Sequence, residues 1–489
     1  MTDWSGGDMR KAPFVGRKRE MADLRWRQEL VERDGEGAAV AIRGRRQAGK
    51  SRLVEQFCVE AALPRLYFQA SRGVGTAESL ELFMAALRAS DLPGAAALPN
   101  AAPRTWLEAF ELLALALPED RVSAVVIDEI PWLFQQDSRL EGYLQTAWDR
   151  LLKSKPVLLL LVGSDIHMME AFIGYDRPFY GRADPMVVKP LNPADTAELT
   201  GLRGVDALDA YLITGGFPAL CRTWGNGSNA LDFFAEQCRR ATSPLFTIGE
   251  QMLDSEFPQP DQTRKVFSAI GSGERTFGNI AAHAGRGPDE PIKSGSLGPI
   301  LNRLHDKYAI AFDQPLATRP GNGGKLYRVA DSYLRLYLAM LASAHEEVKR
   351  DRHEQALRMI KRRWESWRGR AIEPVVREAL ARASAWNEFP WPEAVEVGGW
   401  WPRSFDPEVD LVGADRGPVA RKVFYTGSIK WLSTPFDRHD LNSLRKSAVA
   451  VPGASDNAGG MVVVSRSGVA DGVAADIVWG PDDILAAWE

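Results

Sequence analysis

The chain has 489 residues, too many for one hydrophobic core, and its length predicts about three domains. The hydrophobic share of 45% and the charged share of 25% fit a globular protein, and no apolar run approaches the length of a membrane span. A net charge of -4 argues against a protein that coats nucleic acid by bulk charge, although a local basic groove stays open. Cys58, Cys221 and Cys238 lack metal-ligand spacing and indicate reduced thiols in a soluble, cytoplasmic protein.

A glycine-rich loop lies between a predicted strand and a predicted helix. Ala38–Arg43 (AAVAIR) predicts the strand, GRRQAGKS follows, and Arg52–Ala62 has helical periodicity. This order is the context of a Walker A loop, in which Lys50 would reach the β- and γ-phosphates and the Ser51 hydroxyl would ligate magnesium. We therefore expect a site for ATP with Mg²⁺, with these binding residues: Gly44, Arg45, Arg46, Gln47, Ala48, Gly49, Lys50, Ser51 and Arg52.

Two further buried strands end in polar residues. Ala124–Ile130 (AVVIDEI) carries Asp128, expected to hold the magnesium, and Glu129, expected to polarise the attacking water. Val157–Val162 (VLLLLV) runs into Ser164, a candidate sensor of the γ-phosphate. Together with the loop, these residues favour hydrolysis over simple phosphate binding.

At this point the sequence resembles the archaeal-type ATPases of the STAND group, relatives of the AAA+ proteins. The resemblance covers about residues 13–240 and rests on motifs in their usual order: FVGRKREMADL from Phe14, GRRQAGKS, VVIDEIPWL, LLVGSD, FYGR with KPL, and YLITGGFP from Tyr211. It implies an AAA+-like P-loop core with a parallel sheet and a helical lid.

The resemblance also implies roles for individual residues. Val15, Gly16 and Arg17 would lie against the nucleotide base, and Pro218 of the lid would contact the nucleotide. Arg182 is the candidate arginine that senses or stabilises the γ-phosphate, in cis or in trans, and Arg177 is its rival. The oligomeric state stays open.

Three helices and two strands are predicted in the middle of the chain. The helices are Thr263–Ile270, Thr276–Ala284 and Ser294–Asp306, and the strands are Tyr308–Pro315 and Lys325–Val329. This order is typical of a winged helix, which the resembling family carries here. Its third helix offers Lys293, Asn302, Arg303 and His305, a sparse set for reading DNA. We favour an internal brace over a DNA-binding element.

The last third resembles the PD-(D/E)xK nuclease superfamily, an α/β restriction-endonuclease-like fold. A helical stretch from Ala330 to about Arg382 precedes four strand candidates: Val395–Gly399, Pro407–Gly413, Val419–Tyr425 and Met461–Ser465. Glu373, Asp410 and Lys430 stand at the places of the nuclease residues, but Ser428 replaces an expected carboxylate and is a poor ligand for magnesium. A weakened or lost nuclease is favoured.

These observations predict four segments: an ATPase core (13–192), a helical lid (193–255), a winged helix (256–330) and a helical linker with the nuclease-like domain (331–489). The leading hypothesis is an ATP-driven switch whose nucleotide state controls the C-terminal domain. An ATP-gated, metal-dependent DNA or RNA endonuclease and a winged-helix DNA-binding regulator are the alternatives.

Overall fold

The computed structural model describes residues 13–100, 102–225, 227–257, 261–285, 290–320, 323–386, 389–454 and 459–489. The chain divides into two compact units, Met1–Pro190 and Leu191–Glu489. The boundary between the two units lies near the predicted end of the ATPase core. The three later predicted segments all lie in the second unit. No helix among the described residues is both long and apolar enough to span a bilayer.

The first unit is an α/β fold around a parallel sheet. Its strands are β1 (Ala38–Arg43), β2 (Arg65–Gln69), β3 (Ser123–Asp128), β4 (Val157–Gly163) and β5 (Ala183–Val187). They lie in the order β2-β3-β4-β1-β5, and all neighbours run parallel. The helices are α1 (Lys18–Asp34), α2 (Lys50–Glu60), α3 (Thr76–Arg88), α4 (Trp106–Ala116), α5 (Ile130–Gln136), α6 (Leu140–Ala147) and α7 (Ile166–Phe172).

Alternate residues of the central strands enter opposite layers of the core. Val126 and Leu160 pack with α1 and α2 side chains, whereas Val125 and Leu159 pack with those of α3 and α4. Every residue of β3 and β4 is buried, as expected for a sheet covered on both faces. The apolar runs of the sequence therefore predicted these strands correctly. Strand β5 was not predicted because its Asp184 and Pro185 interrupt any apolar run.

The second unit starts with helices. They are α8 (Pro193–Thr200), α9 (Gly204–Thr214), α10 (Pro218–Cys221), α11 (Ala230–Gln237), α12 (Pro244–Glu256), α13 (Gln262–Ser272), α14 (Phe277–Ala284) and α15 (Ser294–Asp306). The antiparallel pair β6 (Ile310–Asp313) and β7 (Leu326–Val329) follows. The three helices and the hairpin predicted for the middle of the chain are therefore present, within a residue or two at most ends.

A second sheet forms the C-terminal part of this unit. Its strands are β8 (Glu396–Trp400), β9 (Val409–Ala414), β10 (Val423–Lys430), β11 (Gly460–Ser465) and β12 (Ile477–Trp479), in the order β12-β11-β10-β9-β8. Strands β8, β9 and β10 pair antiparallel, while β10, β11 and β12 pair parallel. The remaining helices are α16 (Ser332–Leu336), α17 (Ala342–Val348), α18 (His353–Ala383), α19 (Arg438–Ala448) and α20 (Pro481–Ala486).

One predicted strand was placed wrongly. Val419–Tyr425 was expected, but β10 covers Val423–Lys430. Val419 instead forms an isolated bridge with Ala317, and the Ala420 N–H donates to the Ala317 carbonyl at 2.9 Å. The start of the predicted strand thus pairs outside the sheet. Because β10 extends to Lys430, this residue is the last one of the strand, five residues beyond the predicted end.

Candidate functional site

The loop after β1 has the backbone that a phosphate-binding loop requires. Gln47 and Gly49 adopt left-handed conformations with φ of 62° and 92°. A side chain at Gly44 would meet the carbonyl oxygen of Val188 at 2.1 Å, so that position accepts glycine alone. Helix α2 begins directly at Lys50, two residues before the predicted start, and its N-terminal amides therefore follow the loop.

Lys50 is folded back onto the loop. Its Nζ donates to the carbonyls of Gly44 at 2.8 Å and Arg45 at 3.0 Å, and the residue is 5% exposed. Burial lowers the pKa of Lys50 to about 8; Glu129 and Asp128 oppose this shift and the charge of Arg46 adds to it. The lysine is thus held inside the loop by groups that a phosphate could replace.

Ser51 and Asp128 meet directly. The Ser51 hydroxyl donates to Asp128 Oδ2 at 2.7 Å, and the backbone N–H of Glu129 donates to Asp128 Oδ1 at 2.9 Å. Asp128 is 1% exposed. The structure therefore brings together the loop hydroxyl and the strand carboxylate that were predicted to hold magnesium, and it presents hard oxygen ligands of the kind that magnesium prefers.

Tyr67 is a member of this cluster that the sequence reasoning missed. Its hydroxyl donates to Asp128 Oδ2 at 2.6 Å, the same oxygen that accepts from Ser51. Burial raises the pKa of Tyr67, and the hydrogen bond to Asp128 raises it further, so the phenol stays a donor. The position of β2 beside β3 creates this contact.

Glu129 and Ser164, predicted from separate strands, are also in contact. The Ser164 hydroxyl donates to Glu129 Oε2 at 2.8 Å, and the Ser164 N–H lies 3.3 Å from the same oxygen. Glu129 has a φ of 55°, in the left-handed region, where β3 gives way to α5. Because a non-glycine residue in this region is strained, the fold holds Glu129 in place at a cost in backbone energy.

The segment FVGRKREMADL, which begins at Phe14, contacts the loop through Arg17. Its guanidinium donates to the carbonyl of Ala48 and to the carbonyl of Lys189, both at 2.6 Å. The residue is 7% exposed and also pairs with Glu20. Arg17 thus fixes the loop backbone. The expectation that Val15 and Gly16 lie against a base stays a prediction.

The other polar residues of the loop region, including Arg46, Gln47 and Arg52, have different surroundings. Arg46 and Gln47 are exposed, while Arg52 lies 3.9 Å from Glu55 of its own helix. The guanidinium of Arg46 lies over the ring of Trp132, 5.7 Å from its centroid.

Arg182 and Arg177 are both paired with acids. Arg182 donates to both carboxylate oxygens of Asp149, at 2.9 and 2.7 Å, and holds the pKa of Asp149 below its usual range. Arg177 pairs with Glu141. A role of either arginine at a phosphate requires release from its partner and stays a prediction. Pro218 lies in the second unit, at the first position of α10, and its nucleotide contact is also a prediction.

The three nuclease-like residues occupy a helix and two strands. Glu373 lies on α18, Asp410 on β9 and Lys430 at the end of β10. Asp410 Oδ2 accepts from the Ser428 hydroxyl and the Ile429 N–H, both at 2.9 Å, and Lys430 is paired with Asp440. Ser428 thus acts as a donor to Asp410.

Arg377 pairs with Glu373 and contacts the backbone of Asp410. Its guanidinium lies 3.4 Å from Glu373 and 3.6 Å from Asp313 of β6, and Nε donates to the Asp410 carbonyl at 3.0 Å. Burial raises the pKa of Glu373, with Arg377 opposing the shift and Asp410 adding to it. Among the described residues, no group of three or more His, Cys, Asp or Glu could hold a metal ion.

The connection between β6 and β7, residues 314–325, is attached to the C-terminal sheet; its residues 321 and 322 lie outside the described ranges. The Leu316 N–H donates to the Gly399 carbonyl at 2.9 Å, and Trp401 Nε1 donates to the Gly324 carbonyl at 3.1 Å. Leu316 and Ala317 belong to a buried cluster with the apolar residues of β8 and β9. This connection, the tip of the predicted wing, is therefore engaged with its own chain.

Comparisons with known proteins bear on both units. Residues 337–441 match the family DUF234, described as archaea bacterial proteins of unknown function. A protein of Methanocaldococcus jannaschii, described as uncharacterized, is 26% identical over 322 residues, 63% of this chain and 67% of that protein.

Two solved structures are similar. The Walker-type ATPase of Pyrococcus abyssi is 20% identical, covering 66% of this chain and 96% of its own, with a TM-score of 0.48. The ORC2 protein of Aeropyrum pernix is 14% identical, covering 70% and 98%, with a TM-score of 0.46.

Proposed function

We propose that this chain binds ATP with magnesium in the loop Gly44–Ser51 and hydrolyses it. The observation that carries the proposal is the hydrogen bond of 2.7 Å between Ser51 Oγ and Asp128 Oδ2. It places a loop hydroxyl and a buried strand carboxylate at one point, directly beside the lysine of the same loop. Such a group of side chains is the constellation that holds a metal-bound triphosphate.

The residues of the loop fit the ligand in charge and in ligand type. Ser51 and Asp128 would hold magnesium, which supplies positive charge that offsets the charge of the β- and γ-phosphates. Lys50 would turn from the carbonyls of Gly44 and Arg45 towards the phosphates, whose charge favours its protonated form.

Glu129 is the proposed base that orients the attacking water. Its carboxylate is held at Oε2 by Ser164, which leaves Oε1 without a hydrogen-bond partner among the described residues. Ser164 thus positions the acid, while Tyr67 and Ser51 position its neighbour Asp128. Hydrolysis needs both carboxylates fixed before the nucleotide arrives, because fixed groups pay no ordering cost during the reaction.

The test uses two substitutions that separate binding from turnover. Lys50→Ala is expected to abolish binding of Mg·ATP, and Glu129→Gln is expected to retain binding but lose hydrolysis, by calorimetry and phosphate release. Lys153→Ala is the matched control, since Lys153 is an exposed lysine of the same unit, 4.0 Å from Glu36. Unchanged ATP hydrolysis in Lys50→Ala would refute the proposal.

We further propose that nucleotide state acts as a switch on the second unit, in which an internal winged-helix brace (256–330) supports a nuclease-like domain that has lost cleavage. This is supported by Ser428 in the place of an acid and by Arg377 beside Glu373 and Asp410. A cleavage assay on DNA and RNA with magnesium or manganese, with and without ATP, is expected to show no activity. Cleavage that disappears in Asp410→Ala would establish the competing function, an ATP-gated nuclease.

A further inference from the structure

Trp132 carries two guanidinium groups on its ring. The carbon at the centre of the Arg46 guanidinium lies 5.7 Å from the ring centroid, and that of Arg72 lies 5.0 Å away. Both distances are within the range of a cation–π contact. Arg46 belongs to the loop after β1, Arg72 follows β2, and Trp132 lies three residues beyond Glu129. Three separate chain segments thus meet at this ring.

The segment that carries Arg72 is fixed at the edge of the sheet. The Ala70 N–H donates to the Asp128 carbonyl at 2.9 Å, and the Gln136 side chain donates to the Ser71 carbonyl at 2.8 Å. These bonds join the end of β2 to the end of β3 and to α5. Because parallel strands end at one edge of their sheet, Arg72 lies on the same edge as the loop and Glu129.

Neither of the two arginines forms an ion pair with an acid among the described residues, whereas the nearby Arg43 pairs with Glu170 at 3.1 Å. Two guanidinium groups on one ring repel each other. Arg46 also repels the ammonium group of Lys50 and so lowers the pKa of Lys50. An anion between them would relieve this repulsion, and planar guanidinium groups bind phosphate oxygens in pairs.

We propose that Arg46 and Arg72, stacked on Trp132, bind the terminal phosphate of the nucleoside triphosphate, and that Arg72 makes the site prefer a triphosphate to a diphosphate. The inference rests on the proposed function and deepens it. Trp132 lies in α5, three residues after Glu129, so the two arginines would lie near the phosphate at which water attacks. Trp132 holds the two cations at this position before the ligand binds.

The experiment compares affinities for Mg·ATPγS and Mg·ADP by isothermal titration calorimetry on the full chain. Since a hydrogen bond to a charged group is lost, Arg72→Gln is expected to weaken ATPγS binding by about 10- to 100-fold and to change ADP binding by less than about threefold. Arg46→Gln is expected to act in the same direction, and Arg72→Lys, which keeps the charge, to restore part of the loss.

The matched control is Arg27→Gln. Arg27 also lies over a tryptophan of the same unit, 5.5 Å from the ring of Trp26, but it has its own acid, Asp184. Its substitution is expected to leave both affinities unchanged. Equal losses for ATPγS and ADP in Arg72→Gln, or no loss for either, would overturn the inference while the proposed function stands. A wild-type chain that binds neither nucleotide would overturn the proposed function itself.

Discussion

Tyr67→Phe tests whether the phenol beside Asp128 contributes to hydrolysis. The substitution removes one oxygen and keeps the ring that packs in the sheet. Asp128 then loses one of three donors, since Ser51 and the Glu129 N–H remain. We expect the carboxylate to keep its place but to be less firmly oriented towards the metal.

The expected magnitude follows from the contact. A hydrogen bond to a charged group contributes about 1.5–3 kcal/mol, and water can replace part of it because Tyr67 is only partly buried. The lower end of this range, about 1.5 kcal/mol, corresponds to a loss in rate of about tenfold. We therefore expect kcat for ATP hydrolysis to fall about tenfold and the affinity for ATP to change by less than about threefold.

The assay is steady-state phosphate release over a series of magnesium concentrations. Tyr175→Phe is the control, because Tyr175 is a phenol of the same unit that is 85% exposed. A kcat and a magnesium requirement identical to those of the wild type would refute a positioning role for Tyr67. Equal changes in the control would show that the loss is not specific to Asp128.

Two predictions concern the stability of the second unit. Arg368→Met leaves Asp209 buried without its partner at 3.0 Å, so we expect a loss of about 3–5 kcal/mol in thermal denaturation near pH 8. Burial raises the pKa of Asp209 to about 6 from 3.8, so the acid is neutral at about pH 5 and the loss there is expected to be smaller. Leu316→Ala removes a side chain that is 2% exposed and is expected to cost about 2–5 kcal/mol and to speed proteolysis within residues 314–325.

Controls for both predictions are available on the surface. Arg358→Met removes an exposed pair with Glu354, which contributes less than about 1 kcal/mol, and Val395→Ala removes a side chain that is 56% exposed. An Arg368→Met loss that does not depend on pH would contradict the role given to Asp209. Unchanged proteolysis in Leu316→Ala would contradict the attachment of the hairpin connection to the sheet.

The local part of the candidate site could be predicted from the sequence. Gly44, Lys50 and Ser51 lie within eight consecutive residues, and the strands that precede Glu129 and Ser164 are largely apolar runs. Motifs of this kind can be recognised because their residues are close in sequence. In the structure, Ser51 of the loop contacts Asp128, and Ser164 contacts Glu129.

The parts that depend on strand order could not be predicted. Tyr67 reaches Asp128 only because β2 pairs with β3, and the sequence RLYFQ gives no sign of that neighbour. Arg72 and Trp132 meet for the same reason. The backbone contacts of Arg17 were also not predicted: its buried guanidinium donates to the carbonyls of Ala48 and Lys189, while its expected place near the base stays a prediction.

In the C-terminal part of the chain, Arg377 contacts two of the residues predicted for a nuclease site. Glu373 and the Asp410 carbonyl are both within reach of Arg377, and Asp313 of β6 completes its pairing. A cation that replaced this guanidinium at Glu373 would take one partner from a buried charge, which is unfavourable. These contacts therefore support the proposal that the domain has lost metal-dependent cleavage.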